Sequence, residues 1–357
     1  METKMKTEMK FALATATLTL LGTVPAFATT VYIPEGGAGE ILVVDADTGS
    51  VEARWPGFEA VHGLAGAPGA RYIVAGSYSE AAKEEAEAPA KPEGVSQDEH
   101  EAHHAPRAAS VMPKDAGVSI LTIVEAETGA VVRRIEVPGA VHHVAMSPDG
   151  RYAAVTHPTT DGISIIDLDT LAFKAFVPTG TSPNYAVFAR DGKSVFVTNA
   201  DSGTVSEVDV DKTFVKRNIL SGEAPEHVVM SHDGNRLYVA DAYAGKVHEV
   251  IISDGKISRS LDVGGEIHGL DLSDDDGTLF VSGKGDDKIA AIDLSSGKAK
   301  FAALAPAPYH LTTIAGTNSL YVSSREEPKV WIVDQENLAV TGEIAVSGEG
   351  HEMVVLP

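Results

Sequence analysis

His227-Val228-Val229-Met230-Ser231-His232-Asp233-Gly234 is the stretch of sequence that decides the fold, because two related stretches lie upstream of it at regular intervals. They are His143-Val144-Ala145-Met146-Ser147-Pro148-Asp149-Gly150 and Tyr185-Ala186-Val187-Phe188-Ala189-Arg190-Asp191-Gly192. In each stretch an alternating apolar run indicates a strand, and the Asp-Gly pair indicates a tight turn. The chain therefore contains repeated units that begin with a β-hairpin.

Three more strands follow the first strand in these repeats. A second strand comes after the turn, as in Leu237–Asp241, and a third strand ends in an acidic turn, as in Thr204–Asp209. Lys256–Val263 exemplifies the fourth strand. Four short strands per repeat, with no helical periodicity between them, indicate the blade of a β-propeller.

The number of blades follows from the residue that opens each first strand, which we call the marker. The markers are His62, His142, Asn184, Glu226, His268, His310 and His351. From His142 to His310 every step is 42 residues, and the last step is 41. The turn after His310 is one residue shorter than its equivalents, so Tyr309 is an alternative marker. Seven markers predict an all-β, seven-bladed β-propeller that forms one domain over residues 29–357.

The two ends of the chain are predicted to complete one blade together. The C-terminal strand His351–Leu356 has no partner strands after it. Val31–Ile33, Glu40–Asp45 and Ser50–Trp55 resemble second, third and fourth strands that lack a first strand. Pairing of the C-terminal strand with these strands closes the ring and leaves no unpaired edge.

The first 28 residues have the layout of a secretory signal peptide. A basic start is followed by the apolar run Phe11–Val24 and by the small-x-small cleavage pattern Pro25-Ala26-Phe27-Ala28. An uncleaved N-terminal anchor is the alternative interpretation. No later stretch is long and apolar enough to span a bilayer. We therefore expect an exported, periplasmic protein that is not inserted in the membrane after cleavage.

Composition narrows the possible partners. The chain has no cysteine, so any metal site must be built from His, Asp, Glu or Asn side chains. The formal net charge of −23 repels phosphate backbones and anionic lipid. Nucleic acid is therefore not an expected partner, whereas cations are attracted.

The markers are expected to form a ring at one mouth of the central channel, because the first strand of each blade lines that channel. Five consecutive blades present imidazole, and Glu226 and Asn184 flank this arc. Imidazole nitrogen and carboxylate oxygen suit zinc, and Cu²⁺ or Ni²⁺ is not excluded. A tetrahedral site takes three or four of these candidates. The alternative is that polar side chains merely fill a wet channel mouth.

Two expectations concern the surroundings of the ring. His157 and Asp241 end second strands on the same face, where they are reserve ligands, residues that orient the ligands through hydrogen bonds, or ordinary loop surface. His143 and His227 follow markers directly, so strand alternation predicts that they point away from the channel and pack between blades. Because ligand imidazoles must be neutral, zinc binding is expected to weaken steeply between about pH 7 and pH 5.

The step from His62 to His142 is 80 residues, so this repeat carries an insertion over residues 79–117. Its first half is rich in Ala, Glu, Lys and Pro and is expected to be mobile. Its second half contains His100, His103 and His104 among acidic neighbours, which indicates metal capture or a solvated acidic loop. The insertion joins a second strand to a third strand, which places it on the face of the ring.

Two family resemblances follow from these features. Second and third strands such as Leu237–Asp241 and Lys288–Asp293 resemble the YVTN family of bacterial seven-bladed propellers. With the signal peptide, the clustered His and the acidic His motif at 98–104, the chain also resembles the AztD family of periplasmic zinc metallochaperones. That resemblance implies a propeller that holds zinc with His and carboxylate side chains. It also implies zinc transfer to the solute-binding protein of an ABC importer.

Two other classes of function remain open. One is a metal-dependent hydrolase or lactonase-type propeller enzyme, in which a His-bound metal activates water. The chain has no G-x-S-x-G nucleophile motif and no cysteine for a linked cofactor, so we expect a binding protein rather than an enzyme. The other is a metal-free propeller that serves only as a protein-interaction module.

Overall fold

The computed structural model describes residues 29–82, 113 and 116–357. These residues form seven antiparallel four-stranded sheets that are arranged as the blades of a ring. The predicted signal peptide and His100, His103 and His104 lie outside the described residues. Within the described part of the chain, no helix has both the length and the apolar character needed to cross a membrane.

Blade 1 is formed by both ends of the chain, and blades 2–4 follow it in sequence. Blade 1 contains β1 (Thr30–Glu35), β2 (Glu40–Asp45), β3 (Val51–Pro56) and the C-terminal β28 (Val354–Leu356). Blade 2 contains β4 (Val61–Ala65), β5 (Tyr72–Ser77), β6 (Val118–Glu125) and β7 (Val131–Pro138). Blade 3 contains β8 (Val144–Met146), β9 (Tyr152–His157), β10 (Gly162–Asp167) and β11 (Ala172–Pro178). Blade 4 contains β12 (Pro183–Phe188), β13 (Ser194–Asn199), a 3₁₀ turn (Ala200–Ser202), β14 (Thr204–Asp209) and β15 (Phe214–Leu220).

The remaining three blades repeat the same order of strands. Blade 5 contains β16 (Pro225–Met230), β17 (Arg236–Asp241), β18 (Lys246–Ile251) and β19 (Lys256–Asp262). Blade 6 contains β20 (Leu270–Leu272), β21 (Thr278–Gly283), β22 (Lys288–Asp293) and β23 (Ala299–Ala303). Blade 7 contains β24 (Pro308–Thr313), β25 (Ser319–Ser324), β26 (Lys329–Asp334) and β27 (Val340–Ala345).

Closure of the ring by the two chain ends is confirmed. β28 pairs antiparallel with β1, and Tyr32 lies opposite Val354. The buried Glu35 carboxylate accepts a hydrogen bond from the Ser347 backbone amide at 2.6 Å, which ties the two ends together again. Because blade 1 receives strands from both termini, no edge of its inner strands is left unpaired.

The apolar core lies between neighbouring blades. One cluster packs Ile33 and Val44 of blade 1 against Tyr321 and Ile344 of blade 7. The Tyr321 hydroxyl donates to the Ala46 carbonyl at 2.9 Å, so a buried polar group is satisfied across the same interface. Second strands such as β13 are almost wholly buried, whereas most side chains of the fourth strands β15 and β19 are exposed to solvent or partly exposed. The interblade packing therefore holds the first strands around the channel.

First strands depart from simple alternation near their beginning. In β16, Pro225 pairs with Asp241 and Val228 pairs with Val239. The chain advances three residues along β16 but only two along β17, so β16 contains one extra residue. The same extra residue occurs in β4, β12 and β24. A bulge of this kind turns two consecutive side chains toward the same side. The marker and the residue after it can therefore both face the channel.

The predicted marker in blade 7 is wrong by one residue. Leu311 pairs with Val322 as Val228 pairs with Val239, which places Tyr309, not His310, at the register of Glu226. Backbone hydrogen bonds give the same register. Ser282 Oγ donates to the Tyr309 carbonyl, and Thr198 Oγ1 donates in the same way to the Glu226 carbonyl. With Tyr309 as the marker, the blade 7 hairpin has the same length as the hairpin of blade 5. His310 lies one residue deeper in the channel.

Candidate metal centre at the channel mouth

The channel mouth is bounded by two successive layers of side chains. We call the markers the ring: His62, His142, Asn184, Glu226, His268, Tyr309 and His351. The residues that follow them form the second layer: Gly63, His143, Tyr185, His227, Gly269, His310 and Glu352. The predicted cluster of five imidazoles is present, although His310 reaches it from the second layer.

Adjacent imidazoles of the cluster lie close together. Ring centroids are 4.8 Å apart for His268 and His310, 4.1 Å for His310 and His351, 3.4 Å for His351 and His62, and 4.9 Å for His62 and His142. His268, His310 and His351 are each less than 5% exposed. The five side chains therefore form one continuous, largely buried arc.

Three of these imidazoles have a defined tautomer. Nδ1 of His62 donates to the His142 carbonyl at 2.7 Å, and Nδ1 of His142 donates to the Asn184 carbonyl at 3.0 Å. Nδ1 of His268 donates to Glu226 Oε2 at 2.9 Å. A ring whose Nδ1 carries the proton keeps a free lone pair on Nε2. Hydrogen bonds of Nδ1 to a carbonyl or carboxylate are also the usual support of metal-binding His.

Three Nε2 atoms approach one another at the centre of the arc. His310 Nε2 lies 3.4 Å from His268 Nε2 and 3.2 Å from His351 Nε2. A single ring nitrogen offers either one proton or one lone pair, so His310 Nε2 cannot make good hydrogen bonds to both neighbours. Nδ1 of His310 and Nδ1 of His351 are buried without a partner. The protein alone therefore leaves this cluster incompletely satisfied.

All five imidazoles are held in the neutral form. Burial lowers the pKa of His62 to about 3 and also lowers the pKa of His142. Burial, followed by repulsion from neighbouring imidazoles, places the pKa values of His310 and His351 well below the ordinary value. For His268 the causes are burial and the nearby Lys284 ammonium. Neutral imidazole is the form that binds metal ions.

The two non-imidazole candidates have different surroundings. Glu226 contacts His268 directly, and burial raises the pKa of its carboxyl group. Asn184 accepts from His142 through its backbone carbonyl, while its side-chain Oδ1 is buried without a partner. Among the described residues, no group of three or more His, Asp or Glu side chains already surrounds a point suited to a metal ion. The side chains are gathered but not closed around a centre.

Two tyrosines cover the arc from outside. Tyr309 stacks on His268 at 4.1 Å between ring centroids, and Tyr78 stacks on His62 at 4.7 Å. Tyr78 directly follows β5, where the insertion begins. The Glu80 carboxylate then accepts from the Ala140 amide at 3.1 Å. The residue before the insertion therefore packs against the imidazole arc, and Glu80 at the start of the insertion bonds the segment that leads to His142.

His143 and His227 are not packed between blades as predicted. Nε2 of His143, in blade 3, donates to Glu352 of blade 1, on the other side of blade 2. Nδ1 of His143 accepts from the Ala186 amide at 3.2 Å. Tyr185 is stacked between the two imidazoles, with centroid distances of 3.4 Å to His143 and 3.7 Å to His227. The bulge in β16 explains the error for His227. His143 precedes β8, so strand alternation does not fix the direction of its side chain. Sequence reasoning also missed Tyr185 and Glu352, although their fixed offset from the markers identifies them.

His157 and Asp241 have structural partners rather than free ligand atoms. Nδ1 of His157 donates a hydrogen bond to the Ala140 carbonyl at 3.2 Å. Its Nε2 lies 2.8 Å from Ser164 Oγ. Asp241 accepts from the Glu223 and Ala224 amides at 2.9 and 3.1 Å. Both residues fasten the connections between blades.

Comparison with known proteins supports the fold alone. No protein-family model and no curated protein matches the chain. It is similar to the periplasmic gluconolactonase PpgL of Pseudomonas aeruginosa, with 15% identity, a TM-score of 0.69, and coverage of 93% of this chain and 99% of that one. For Kuenenia stuttgartiensis hydrazine synthase the values are 14%, 0.67, 86% and 93%. For the dihydro-heme d1 dehydrogenase NirN they are 15%, 0.63, 89% and 64%. The chain therefore shares the propeller architecture of solved proteins with diverse activities.

Proposed function

We propose that this protein is a periplasmic zinc metallochaperone that holds zinc at the imidazole arc. The observation that carries the proposal is the approach of His268, His310 and His351 through their Nε2 atoms, at 3.4 and 3.2 Å. Zinc–nitrogen bonds of about 2.0–2.1 Å in a tetrahedron place two ligand nitrogens about 3.3–3.4 Å apart. The spacing thus matches the edge of a zinc coordination tetrahedron. One cation would accept the lone pairs of these Nε2 atoms, which cannot all form hydrogen bonds with one another.

The remaining ligand positions have nearby candidates. His62 and His142 each present an Nε2 lone pair, and Glu226 supports His268 in the manner of a carboxylate behind a metal-bound imidazole. Small rotations of these side chains are needed to enclose a metal ion, because no group of three is yet closed around one point in the described residues. A site that closes on its ion suits a protein that must later release it.

The proposed partner is the solute-binding protein of a periplasmic zinc ABC importer, as in the AztD family that the sequence resembles. Export, zinc as the cargo and this partner are parts of one proposal. The net charge of −23 attracts cations to the molecule, and the absence of cysteine is consistent with imidazole as the main ligand.

The direct test is metal titration of the mature chain, purified without a His tag. We expect one tight zinc site per chain in isothermal titration calorimetry, and zinc in protein isolated from the native periplasm. Titrations with Cu²⁺ and Ni²⁺ establish the preference, since copper binds imidazole more tightly than zinc in the absence of geometric selection. A chain that binds none of these ions tightly would exclude the metal proposal and favour the interaction module.

Removal of the insertion is expected to slow zinc transfer without changing zinc affinity. Glu80 and the bridge between Ala81 and Val118 anchor its root, so residues 83–112 should be replaced by a short Gly-Ser linker. The cluster keeps its imidazoles, whereas stepwise ligand exchange through His100, His103 and His104 is lost. Stopped-flow transfer to the acceptor protein measures the rate. A triple variant with alanine at these three positions is the control for loop length, and it should be as slow as the deletion.

An enzyme remains the second class to be tested. A His-bound metal that keeps an open position activates water, so the metal-loaded protein should be screened against lactones and esters. Turnover that disappears when His310 is replaced by alanine would favour the hydrolase. The expected result is no turnover together with zinc transfer.

A further inference from the structure

A cavity lies at the end of the channel opposite the imidazole arc. Its volume is ≈ 560 Å³, within the range of small-molecule sites. Pro68, Pro148 and Arg190 border it, and they belong to the region of the hairpin turns where first strands end. Because first strands begin at the ring and end at these turns, this opening lies at the other end of the channel. A ligand can therefore reach it without passing the arc.

The walls of this cavity are mostly apolar. They are built by side chains three residues after the markers, together with neighbouring methionines. The wall residues are Ala65, Ala145, Val187, Val229, Val354, Met230 and Met353. Asp271 and Thr312 occupy the same register in blades 6 and 7, and Asp271 carries the one carboxyl group at these seven positions. Its oxygens accept from the Thr313 amide at 2.7 Å and the Leu272 amide at 2.9 Å.

Glu352 provides a second carboxyl group at the inner end of the cavity. Its Oε1 accepts from the Tyr185 hydroxyl at 3.2 Å and from His143 Nε2. Its Oε2 is buried and has no hydrogen-bond partner. In an adjoining chamber of ≈ 120 Å³, Nδ1 of His227 is likewise buried without a partner. Two residues that line the channel thus each have a buried polar atom without a hydrogen-bond partner.

The available atoms favour an organic hydrogen-bond donor over a metal ion. The lone pair of His143 is already used by the Ala186 amide, so this imidazole cannot become a ligand without breaking that bond. Arg190 is the only lysine or arginine among the described residues that line the cavity. Its guanidinium is bonded to the Met230 and Ser231 carbonyls at 2.8 and 3.2 Å. The cavity therefore offers carboxylate oxygens and apolar walls, with no free basic side chain.

We propose that this cavity binds a small organic cation, with an ammonium group at Glu352 and Asp271 and an apolar body against the valine and alanine walls. The ammonium group supplies donors for Glu352 Oε2. Burial raises the pKa of both carboxyl groups, and a bound cation offsets this effect because it stabilises their ionised forms. The cavity opens on the face opposite the imidazole arc, and only its adjoining chamber reaches His310 of that arc. The proposal does not depend on zinc binding at the arc.

The test uses n-butylammonium, n-hexylammonium and benzylammonium as probes, with hexanoate and hexanol as the anionic and neutral comparisons. Binding is measured by calorimetry on the mature chain in the presence of EDTA, which removes metal-mediated binding. We expect at least one ammonium probe to bind more tightly than both comparisons. Glu352→Gln should weaken that binding roughly 10–100-fold, because a charged hydrogen-bond acceptor is lost.

Two further variants make the result specific. Asp211→Asn removes the same charge from an exposed turn and should leave probe affinity unchanged, which separates the site from the general negative field. Ala145→Leu narrows the cavity without removing a carboxylate and should abolish binding while thermal unfolding remains cooperative. The proposal is overturned if no ammonium probe binds more tightly than hexanoate. Equal probe affinity in the parent, Glu352→Gln and Ala145→Leu proteins also overturns it.

Discussion

Replacement of His310 and His351 together by alanine is expected to weaken zinc binding by roughly four powers of ten. Structural zinc sites bind with about 10–16 kcal/mol, so each of four ligands accounts for about 3 kcal/mol, and about 1.4 kcal/mol corresponds to a factor of ten. These two side chains contribute one of the two close Nε2 contacts, at 3.2 Å. Competition titration with a chromophoric chelator measures the loss.

The matched control removes two imidazoles elsewhere. His232 lies on an exposed turn and contacts Asp276. His248 lies in the third strand β18 and contacts Ser260 and Asp241, so neither imidazole belongs to the arc. His232→Ala combined with His248→Ala should retain the parental zinc affinity. Circular dichroism verifies that both double variants are folded. The ligand assignment is wrong if the His310/His351 variant binds zinc as tightly as this control.

Acidification is expected to reduce the stability of the metal-free protein before it reduces the zinc affinity of the folded state. The folded pKa of His62 is about 3, below the unfolded value of about 6.5, so protons bind preferentially to the unfolded chain between these values. The stabilising contribution is complete above pH 6.5 and is lost as the pH falls toward 3. At pH 5 this side chain alone lowers the free energy of unfolding by ~2 kcal/mol relative to neutral pH. The pKa values of the other arc imidazoles are lowered as well, so they act in the same direction.

The same pKa values revise the pH profile expected from the sequence. Unperturbed imidazoles would be largely protonated at pH 5 and would each weaken zinc binding about 30-fold. His62, whose pKa is about 3, is still neutral at pH 5 and releases few protons to zinc, and the lowered pKa values of the other arc imidazoles act in the same direction. We therefore expect affinity of the folded protein to fall less than about tenfold between pH 7 and pH 5. Urea unfolding and zinc titration at the same pH values separate the two effects. A steep fall in affinity with unchanged unfolding free energy would contradict this prediction.

The blades and their closure could be predicted because they follow from local patterns. Alternating apolar residues and Asp-Gly turns specify hairpins over a few residues, and the step of 42 residues counts the blades. The strands at both ends lack partners in their own repeats, so only their mutual pairing satisfies the backbone. His62, His142, His268 and His351 could be placed at one register for the same reason. Apart from the pairing of the two chain ends, none of these inferences requires knowledge of a distant contact.

The second layer could not be predicted in the same way. Strand alternation assigned His143 and His227 to the blade interfaces, but His227 lies in the bulge of β16 and His143 lies before the regular part of its strand. His143 contacts Glu352, which is 209 residues away in sequence. No spacing in the chain indicates that contact, because it results from the closed ring.

The sequence by itself therefore determined the number of blades, the closure of the ring and the enrichment of imidazole at one mouth of the channel. Only the tertiary structure decided that Tyr309 is the marker and that His310 lies below it. The reason is that hydrogen-bond pairing with β25 sets the register of β24, and a shift of one residue is invisible in a short apolar run. The tautomers of the imidazoles and their lowered pKa values were decided at the same level, because they depend on carbonyls and burial supplied by neighbouring blades.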